Sequence, residues 1–150
     1  MTVRFTQKTK VEAPRVRVFD LSLTVEHHLG SMAKSGERVI SGVRSGVMKV
    51  GDEVSWAARH FGVTWKMTSR ITELERPRRF VDEQIRGPFA RFRHEHLFEE
   101  IDGGTRMTDN VEFAAPFGPL GRLAERILLA GYIEKLIRER AAYLLSIARK

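Results

Sequence analysis

The N-terminal part of the chain changes from strand-like to helix-like spacing of its apolar residues. Between Val3 and Glu12, apolar and polar residues mostly alternate with a period of two, which predicts a β-strand. Pro14 then precedes apolar residues at helical spacing, and a proline in the first turn is typical of a helix start. We predict a helix from Pro14 to about Leu23, followed by a short irregular or helical stretch to Met32.

The middle of the chain alternates in the manner of successive strands, with glycine and proline turn signals between them. The predicted strands are Glu37–Val43, Asp52–His60, Val63–Leu74, Arg79–Ile85, Phe89–Ile101 and Thr105–Ala115. Asp102-Gly103-Gly104 joins the last two, and Asp-Gly between alternating segments is a strong hairpin signal. The short connections predict a meander of antiparallel strands.

The C-terminal segment has the period of a helix. After Pro116-Phe-Gly-Pro119, apolar residues recur every three or four positions to about Arg149, with charged residues opposite. A helix of about 28 residues is roughly 42 Å long, and a long antiparallel sheet curls. We therefore predict an α+β fold: a curved antiparallel β-sheet wrapped around a long C-terminal α-helix, with a short helical segment after the first strand and a cavity between sheet and helix.

Several short motifs in the second half of the chain resemble one known superfamily. They are Gly87–Phe89, Phe92–Phe98, Gly103–Val111 and Pro116–Gly121. With the order of elements, they are similar to the SRPBCC (START-like, helix-grip) superfamily, particularly its small bacterial ligand-binding or polyketide cyclase/dehydrase-like members; Phe92 stands where those proteins usually have tryptophan. The resemblance implies the helix-grip fold and a hydrophobic ligand between sheet and helix. One fold does not fix one activity, so carriers and cyclases both stay open.

Length and composition limit the classes of protein. At 150 residues the chain suits a single domain, 1–150. It has no cysteine, which excludes disulfides, thiolate metal sites and a cysteine nucleophile. No run of about 18 apolar residues occurs, so we expect no transmembrane segment and a cytoplasmic protein.

The net charge of +7 raises the question of an anionic partner. The basic residues are spread along the chain without a basic tail or dense block, so we expect a solvated surface and no specific nucleic acid partner. Peripheral membrane contact stays open, and the sequence does not fix the oligomeric state.

One face of the predicted hairpin carries a set of candidate ligand-binding residues. A two-residue Asp102-Gly103 loop places Phe98 opposite Met107, His96 opposite Asp109, His94 opposite Val111, and Phe92 opposite Phe113. A Gly103-Gly104 loop would shift each partner by two and keep the same faces. Charged residues occupy the other face, so this mostly apolar face is predicted to point inward.

Other elements add candidate ligand contacts by the same reasoning. They are Trp56, Trp65 and Met67 in two strands, Gln84 in a third, and Leu123 and Ile127 on a helix face that also includes Leu120 and Gly131. In the Arg79–Ile85 strand, the pattern does not decide whether Phe80, Asp82 and Gln84 or their neighbours point inward.

The pair His94 and His96 has three interpretations. Two histidines on one strand face with Asp109 opposite are a weak metal-site pattern. His96 oriented by Asp109 would be a catalytic general acid/base that titrates near neutrality. Buried polar groups also need partners, so both histidines can be structural or can orient a ligand. The last interpretation is favoured, and we predict no metal and no cofactor.

The sequence therefore predicts a protein that binds or carries a hydrophobic small molecule, such as a lipid, quinone, aromatic or polyketide-like compound. A non-catalytic role is favoured. The alternative is a cyclase/dehydratase or hydrolase-like enzyme on the same fold with His96 and Asp109 as its acid/base pair. The sequence contains no Gly-x-Ser-x-Gly motif, so it offers no support for a serine hydrolase.

Overall fold

A computed structural model describes residues 2–60, 62–114 and 122–148, apart from the side chains of residues 122–128. The strands are β1 Thr2–Val11, β2 Arg38–Gly42, β3 Glu53–His60, β4 Val63–Glu75, β5 Arg79–Arg86, β6 Arg91–Ile101 and β7 Gly104–Ala114. The helices are α1 Arg15–Ser22, α2 Val25–Ser31 and α3 Arg122–Ala148, and a short 3₁₀ turn covers Ala33–Ser35. The predicted order of elements is thus confirmed.

The strands form one curved antiparallel sheet in the order β1-β7-β6-β5-β4-β3-β2. The hairpin of β6 and β7 has the predicted register, with His96 opposite Asp109 and His94 opposite Val111. The long helix α3 completes the α+β, helix-grip arrangement that the sequence predicted.

The structure shows which residues of β5 point inward, a point that the alternation of its sequence did not decide. The register of β4 against β5 shifts between Thr68 and Ser69 and again between Ile71 and Glu73, and such bulges bend a strand and increase its twist. Phe80 is buried on the inner face, and Asp82 is next to it on that face, where it meets a histidine of β6.

Two apolar clusters fill the ends of the space between sheet and helices. Phe19 of α1 packs edge-on against Phe80 and Phe98, with ring centroids 5.6 and 5.2 Å away. The other cluster joins Val111 and Phe113 of β7 to α3. Side chains leave part of the space between these two clusters empty.

The described part of α3 confirms the predicted apolar stripe, which includes the buried residues Ile133, Ile137, Ala141, Leu144 and Ala148. Gly131 is exposed, contrary to the expectation that it faces the sheet. The predicted turn 116–121 with Leu120, and the side chains of Leu123 and Ile127, lie outside the described residues. In the described part of the chain, no helix is long and apolar enough to cross a membrane.

Candidate functional site

A cavity of about 510 Å³ lies between the inner face of the sheet and α3. This volume is within the range of about 300–1,000 Å³ that is typical of small-molecule sites. Most of its wall is apolar, with contributions from the α1–α2 region, from β3 to β6, and from α3. The wall includes six residues that the sequence predicted as ligand contacts: Trp56, Trp65, Met67, Phe92, His94 and His96.

Four of the predicted apolar contacts lie elsewhere. Phe98 and Met107 belong to the core cluster around α1 and the C-terminal part of α3, and Val111 and Phe113 pack against Ile133 and Ile137. Strand alternation gave their face correctly. Whether a residue on that face contacts the cavity depends on which helix packs over it, and alternation carries no information about that packing.

Gln84 also has a different role from the predicted one. Its amide nitrogen donates to the carbonyl oxygen of Phe89 at 2.8 Å, and its amide oxygen accepts from the backbone nitrogen of Phe89 at 3.2 Å. Both polar groups of the side chain are therefore engaged in the β5–β6 connection. Phe89, which Gln84 holds, lines the cavity instead.

Five side chains form a polar cluster at the cavity wall, in which all members except the partly exposed Asp82 are buried: Asp82, His94, His96, Asp109 and Arg140. Nε2 of His94 lies 2.8 Å from Oδ1 of Asp109, and Nε2 of His96 lies 2.6 Å from Oδ2 of Asp82. The rings of His94 and His96 stack with centroids 3.7 Å apart, and Phe80 stacks on the other face of His96 at 4.0 Å.

Arg140 of α3 joins the two carboxylate–histidine pairs. Its Nη1 donates to Oδ1 of Asp109 at 3.4 Å, and its Nη2 lies 3.3 Å from Nδ1 of His96. Because a carboxylate can only accept, Nε2 of His96 carries a proton toward Asp82, which leaves Nδ1 of the neutral ring to accept from Arg140. The neutral tautomer of His96 therefore satisfies all the hydrogen bonds that this ring makes.

The electrostatics of the cluster favour this state. Burial, reinforced by His94 and Arg140, lowers the pKa of His96 to about 3 in spite of Asp82. Burial alone would raise the pKa of Asp82, but the hydrogen bond from His96 and the neighbouring positive charges lower it to about 2. At pH 7 His96 is thus neutral and Asp82 ionised. The expectation that His96 titrates near neutrality is wrong, because burial outweighs the attraction of its carboxylate.

Asp109 lies behind the cavity wall and does not line it. Its side chain is 0% exposed, and its Oδ2 has no hydrogen-bond partner in the described part of the chain. Its pKa is held below the ordinary range because the hydrogen bond from His94 and the charge of Arg140 outweigh the effect of burial. The close carboxylate partner of His96 is Asp82, not Asp109 as predicted, since Nδ1 of His96 is 3.5 Å from Asp109.

Asp82, His94 and His96 offer ligand atoms that lie within 4.8 Å of one another, as a metal site requires. Their orientation does not suit one ion. The lone pair of an imidazole lies in the ring plane, and two rings stacked 3.7 Å apart at 19° cannot both direct lone pairs to an ion about 2.0–2.1 Å away. The guanidinium of Arg140 beside His96 would also repel a cation. The arrangement favours a hydrogen-bonding role.

A second group of polar side chains lines the cavity near β3. Nε2 of His28 lies 2.8 Å from Oε1 of Glu37, and Nδ1 of His60 lies 2.5 Å from the hydroxyl of Tyr132. Burial lowers the pKa of His60, and the charge of Glu37 partly opposes that effect. Burial also raises the pKa of Tyr132. Sequence reasoning missed this group because its members lie on four separate segments.

Asp82 and Arg140 were also missed. Asp82 lies on the strand whose inner face alternation could not assign. The sequence did contain a signal for Arg140, because this residue falls at helical spacing from Ile133, Ile137 and Leu144. In the structure it is only 5% exposed. A charged residue on an apolar stripe indicates either a partner inside the protein or a functional role.

Comparisons with known proteins agree with this architecture. Residues 2–145 match the family model described as polyketide cyclase / dehydrase and lipid transport. The Zhui aromatase/cyclase from Streptomyces sp. R1128 is 15% identical with a TM-score of 0.79, covering 99% of this chain and 94% of that chain. The protein TTHA0849 from Thermus thermophilus is 17% identical with a TM-score of 0.72, covering 99% of both chains.

A plant protein has the same fold: ginseng major latex-like protein 151 from Panax ginseng is 14% identical with a TM-score of 0.62, covering 96% of this chain and 98% of that chain. The search of curated proteins finds no significant match. Fold and cavity together define a helix-grip protein with an internal cavity between sheet and helix. The chain belongs to the polyketide cyclase / dehydrase and lipid transport family, within the SRPBCC superfamily.

Proposed function

We propose that this protein binds and carries a hydrophobic small molecule in the cavity between the sheet and α3. The observation that carries the proposal is the cavity itself: about 510 Å³ of space with a mostly apolar wall and a few polar side chains in two groups. Apolar ligand surface buried there contributes about 25 cal/mol per Å², from which the costs of immobilising the ligand are subtracted. The aromatic rings of Trp56, Trp65 and Phe92 suit a ligand with flat or aromatic parts.

The polar cluster gives such a ligand an orientation. The side chain of Asp82 is 26% exposed, whereas those of His96 and Asp109 are 2% and 0% exposed. Asp82 and Arg140 both line the cavity, so they offer an acceptor and a donor to one polar group of the ligand. A hydroxyl or carbonyl group of the ligand at this position would form hydrogen bonds with the protein in place of those that it loses on leaving water.

Native mass spectrometry of freshly purified protein tests the proposal. We expect either a co-purified ligand or uptake from a panel of lipids, quinones and aromatic compounds. Trp56→Ala enlarges the cavity and removes an aromatic wall, so it should weaken uptake, while the exposed substitution Arg138→Ala on α3 should not. Consistent absence of both co-purified ligand and uptake would exclude a carrier for these classes.

A second candidate is a cyclase or dehydratase, and the observation that favours it is the close His96–Asp82 pair facing the cavity. General acid–base catalysis is most effective when the pKa of the group lies near the working pH. The low pKa of His96 makes it a weak base at pH 7, which favours the binding role over this one. If the protein is an enzyme, the acid/base pair would be His96 with Asp82.

Binding and turnover can be separated by one pair of measurements. For an enzyme, His96→Gln should abolish conversion of a poly-β-ketone substrate analogue while the affinity for that analogue changes by less than about threefold. For a carrier, the wild-type protein should bind the analogue and release it unchanged. Mass analysis of the analogue after incubation distinguishes the two.

A further inference from the structure

The second polar group of the cavity wall includes the pair of His28 and Glu37. Glu37, just before β2, faces the cavity with a side chain that is only 10% exposed. Its Oε1 pairs with Nε2 of His28, whose ring packs on Trp56 with centroids 4.3 Å apart. Its other oxygen, Oε2, has no hydrogen-bond partner among the residues that the structure describes.

This pair is well separated from the cluster of Asp82 and Arg140. Trp56 is paired with Met67 and Asp82 with Ile71, so the two sites are two strands apart and four residues apart along the strand direction. At about 4.8 Å per strand and about 3.4 Å per residue, the backbone positions of Trp56 and Asp82 are about 17 Å apart. On β4, the wall between them consists of Met67, Ser69 and Ile71, two apolar side chains with one small hydroxyl side chain between them.

The charges of the wall select against an anionic ligand. Apart from the four histidines of the wall, its described charged residues are two acids, Glu37 and Asp82, and one base, Arg140, and a third carboxylate, Asp109, lies directly behind. A ligand carboxylate at either end would therefore meet a carboxylate of the protein. A hydroxyl can donate to Glu37 at one end, and at the other it can donate to Asp82 and accept from Arg140.

We propose that the His28–Glu37 pair is a second polar subsite of the cavity, and that the ligand is a mostly apolar molecule with an uncharged hydroxyl group at each end. Nε2–H of His28 holds Oε1 of Glu37, and this fixes the carboxylate so that Oε2 accepts from the far hydroxyl. The inference rests on the proposed binding function. It adds the number, the spacing and the charge of the ligand's polar groups.

Displacement of the neutral fluorophore N-phenylnaphthylamine tests this with three competitors of equal chain length: dodecanol, dodecanediol with a hydroxyl at each end, and ω-hydroxydodecanoic acid. A hydrogen bond to a charged group contributes about 1.5 kcal/mol or more, so the diol should bind about tenfold tighter than dodecanol. The hydroxy acid should bind more weakly than the diol. Equal affinities of diol and dodecanol would overturn the subsite and leave the binding function intact.

Variants assign the effect to Glu37. Glu37→Leu should remove the advantage of the diol over dodecanol. Glu37→Gln keeps the shape and removes the charge, so it should raise the affinity for the hydroxy acid relative to the diol, a gain that poor folding cannot imitate. Glu12→Gln removes the same charge at an exposed site and should change neither ratio.

The two failures are distinguishable. If the wild-type protein takes up no fluorophore and binds none of the three competitors, the proposed function fails and the subsite with it. If fluorophore and dodecanol bind but Glu37→Gln leaves the ratio of hydroxy acid to diol unchanged, only the subsite is overturned.

Discussion

At the scale of single residues, Arg140 holds the polar cluster together. It is the one cation among the described cavity-lining side chains, apart from any protonated histidine, and it contacts both Asp109 and His96. Asp109 depends on it most, because this carboxylate is fully buried and its Oδ2 has no partner in the described part of the chain. Arg140 thus has two roles: it compensates the charge of Asp109 behind the cavity wall, and it is available to a ligand in the cavity.

Arg140→Met should lower the free energy of unfolding by about 3–5 kcal/mol, since it leaves a buried carboxylate without its cation. The double variant Arg140→Met/Asp109→Asn should recover part of that loss, because no buried charge then lacks a partner. Denaturant unfolding of wild type, both single variants and the double variant measures the coupling. Arg138→Met, at an exposed site on the same helix, should cost less than about 1 kcal/mol; a similar loss for both arginines would contradict this account.

The low pKa of His96 predicts that acid destabilises the fold. Folding lowers this pKa from 6.5 to about 3, so the unfolded chain binds the proton more tightly and gains stability as the pH falls. The contribution of His96 to the free energy of unfolding should drop by about 1 kcal/mol between pH 7 and pH 5.5, and by about 1.4 kcal/mol per further pH unit down to about pH 3. Asp82, with its pKa lowered from 3.8 to about 2, adds a loss below about pH 4.

His96→Gln supplies the control for this pH dependence. The variant keeps an N–H donor for Asp82 and has no titration in this range, so its unfolding free energy should fall less steeply between pH 6.5 and pH 4. Chemical denaturation at a series of pH values measures both slopes. An unchanged slope in the variant would assign the acid sensitivity to other groups.

At the scale of secondary structure, the contact between α2 and α3 sets how closely the helices approach each other at the edge of the cavity. Gly30 of α2 lies against the ring of Tyr143 on α3, and a Cβ atom at Gly30 would overlap the hydroxyl end of that ring. His28 and Met32, next to Gly30 in sequence, line the cavity. A side chain at Gly30 therefore requires the end of the Tyr143 ring to move, and the constraint comes from helix packing and not from backbone conformation.

Two glycine substitutions should have opposite effects for this reason. Gly30→Ala forces Tyr143 to move and should destabilise the protein by about 1–3 kcal/mol. Gly131→Ala, at an exposed position of α3 with no described atom within 4 Å, should stabilise it by up to about 1 kcal/mol through helix propensity. Thermal unfolding measures both, and Tyr143→Ala should reduce the cost of Gly30→Ala.

At the scale of the whole molecule, the net charge of +7 is spread over a surface that pairs many of its cations. Arg79 contacts Glu73 and Glu95, Arg76 contacts Asp20, and Arg70 contacts Glu53. Such pairs add little stability, but they keep the outer face from presenting one continuous basic surface.

We therefore expect only weak, sequence-independent binding to nucleic acid. Fluorescence anisotropy with two unrelated DNA duplexes should give similar affinities at about 50 mM salt and almost no binding at about 200 mM, because counterion release dominates such contacts. A clear preference for one duplex at the higher salt concentration would contradict this expectation.

The sequence by itself determined the elements, the antiparallel order and the face of each hairpin residue. A strand repeats every two residues and a helix every 3.6, so these features depend on neighbours along the chain. The two registers that the Asp102-Gly103-Gly104 turn allowed share the same faces, and the structure has the one with Asp102-Gly103 as the loop. The apolar stripe of α3 followed from its spacing, and that stripe already contained Arg140.

Only the tertiary structure decided which inward-facing residues meet the cavity. Phe98 and Phe92 share a face of β6, but α1 packs over Phe98 and the cavity lies over Phe92. The choice of Asp82 over Asp109 as the partner of His96 depends on the pairing of β5 with β6 and on bulges that alternation does not show. His28 reaches Trp56 by the approach of α2 to β3, and Glu37 lies near it because β2 pairs with β3; both are contacts between distant parts of the chain that no local pattern specifies.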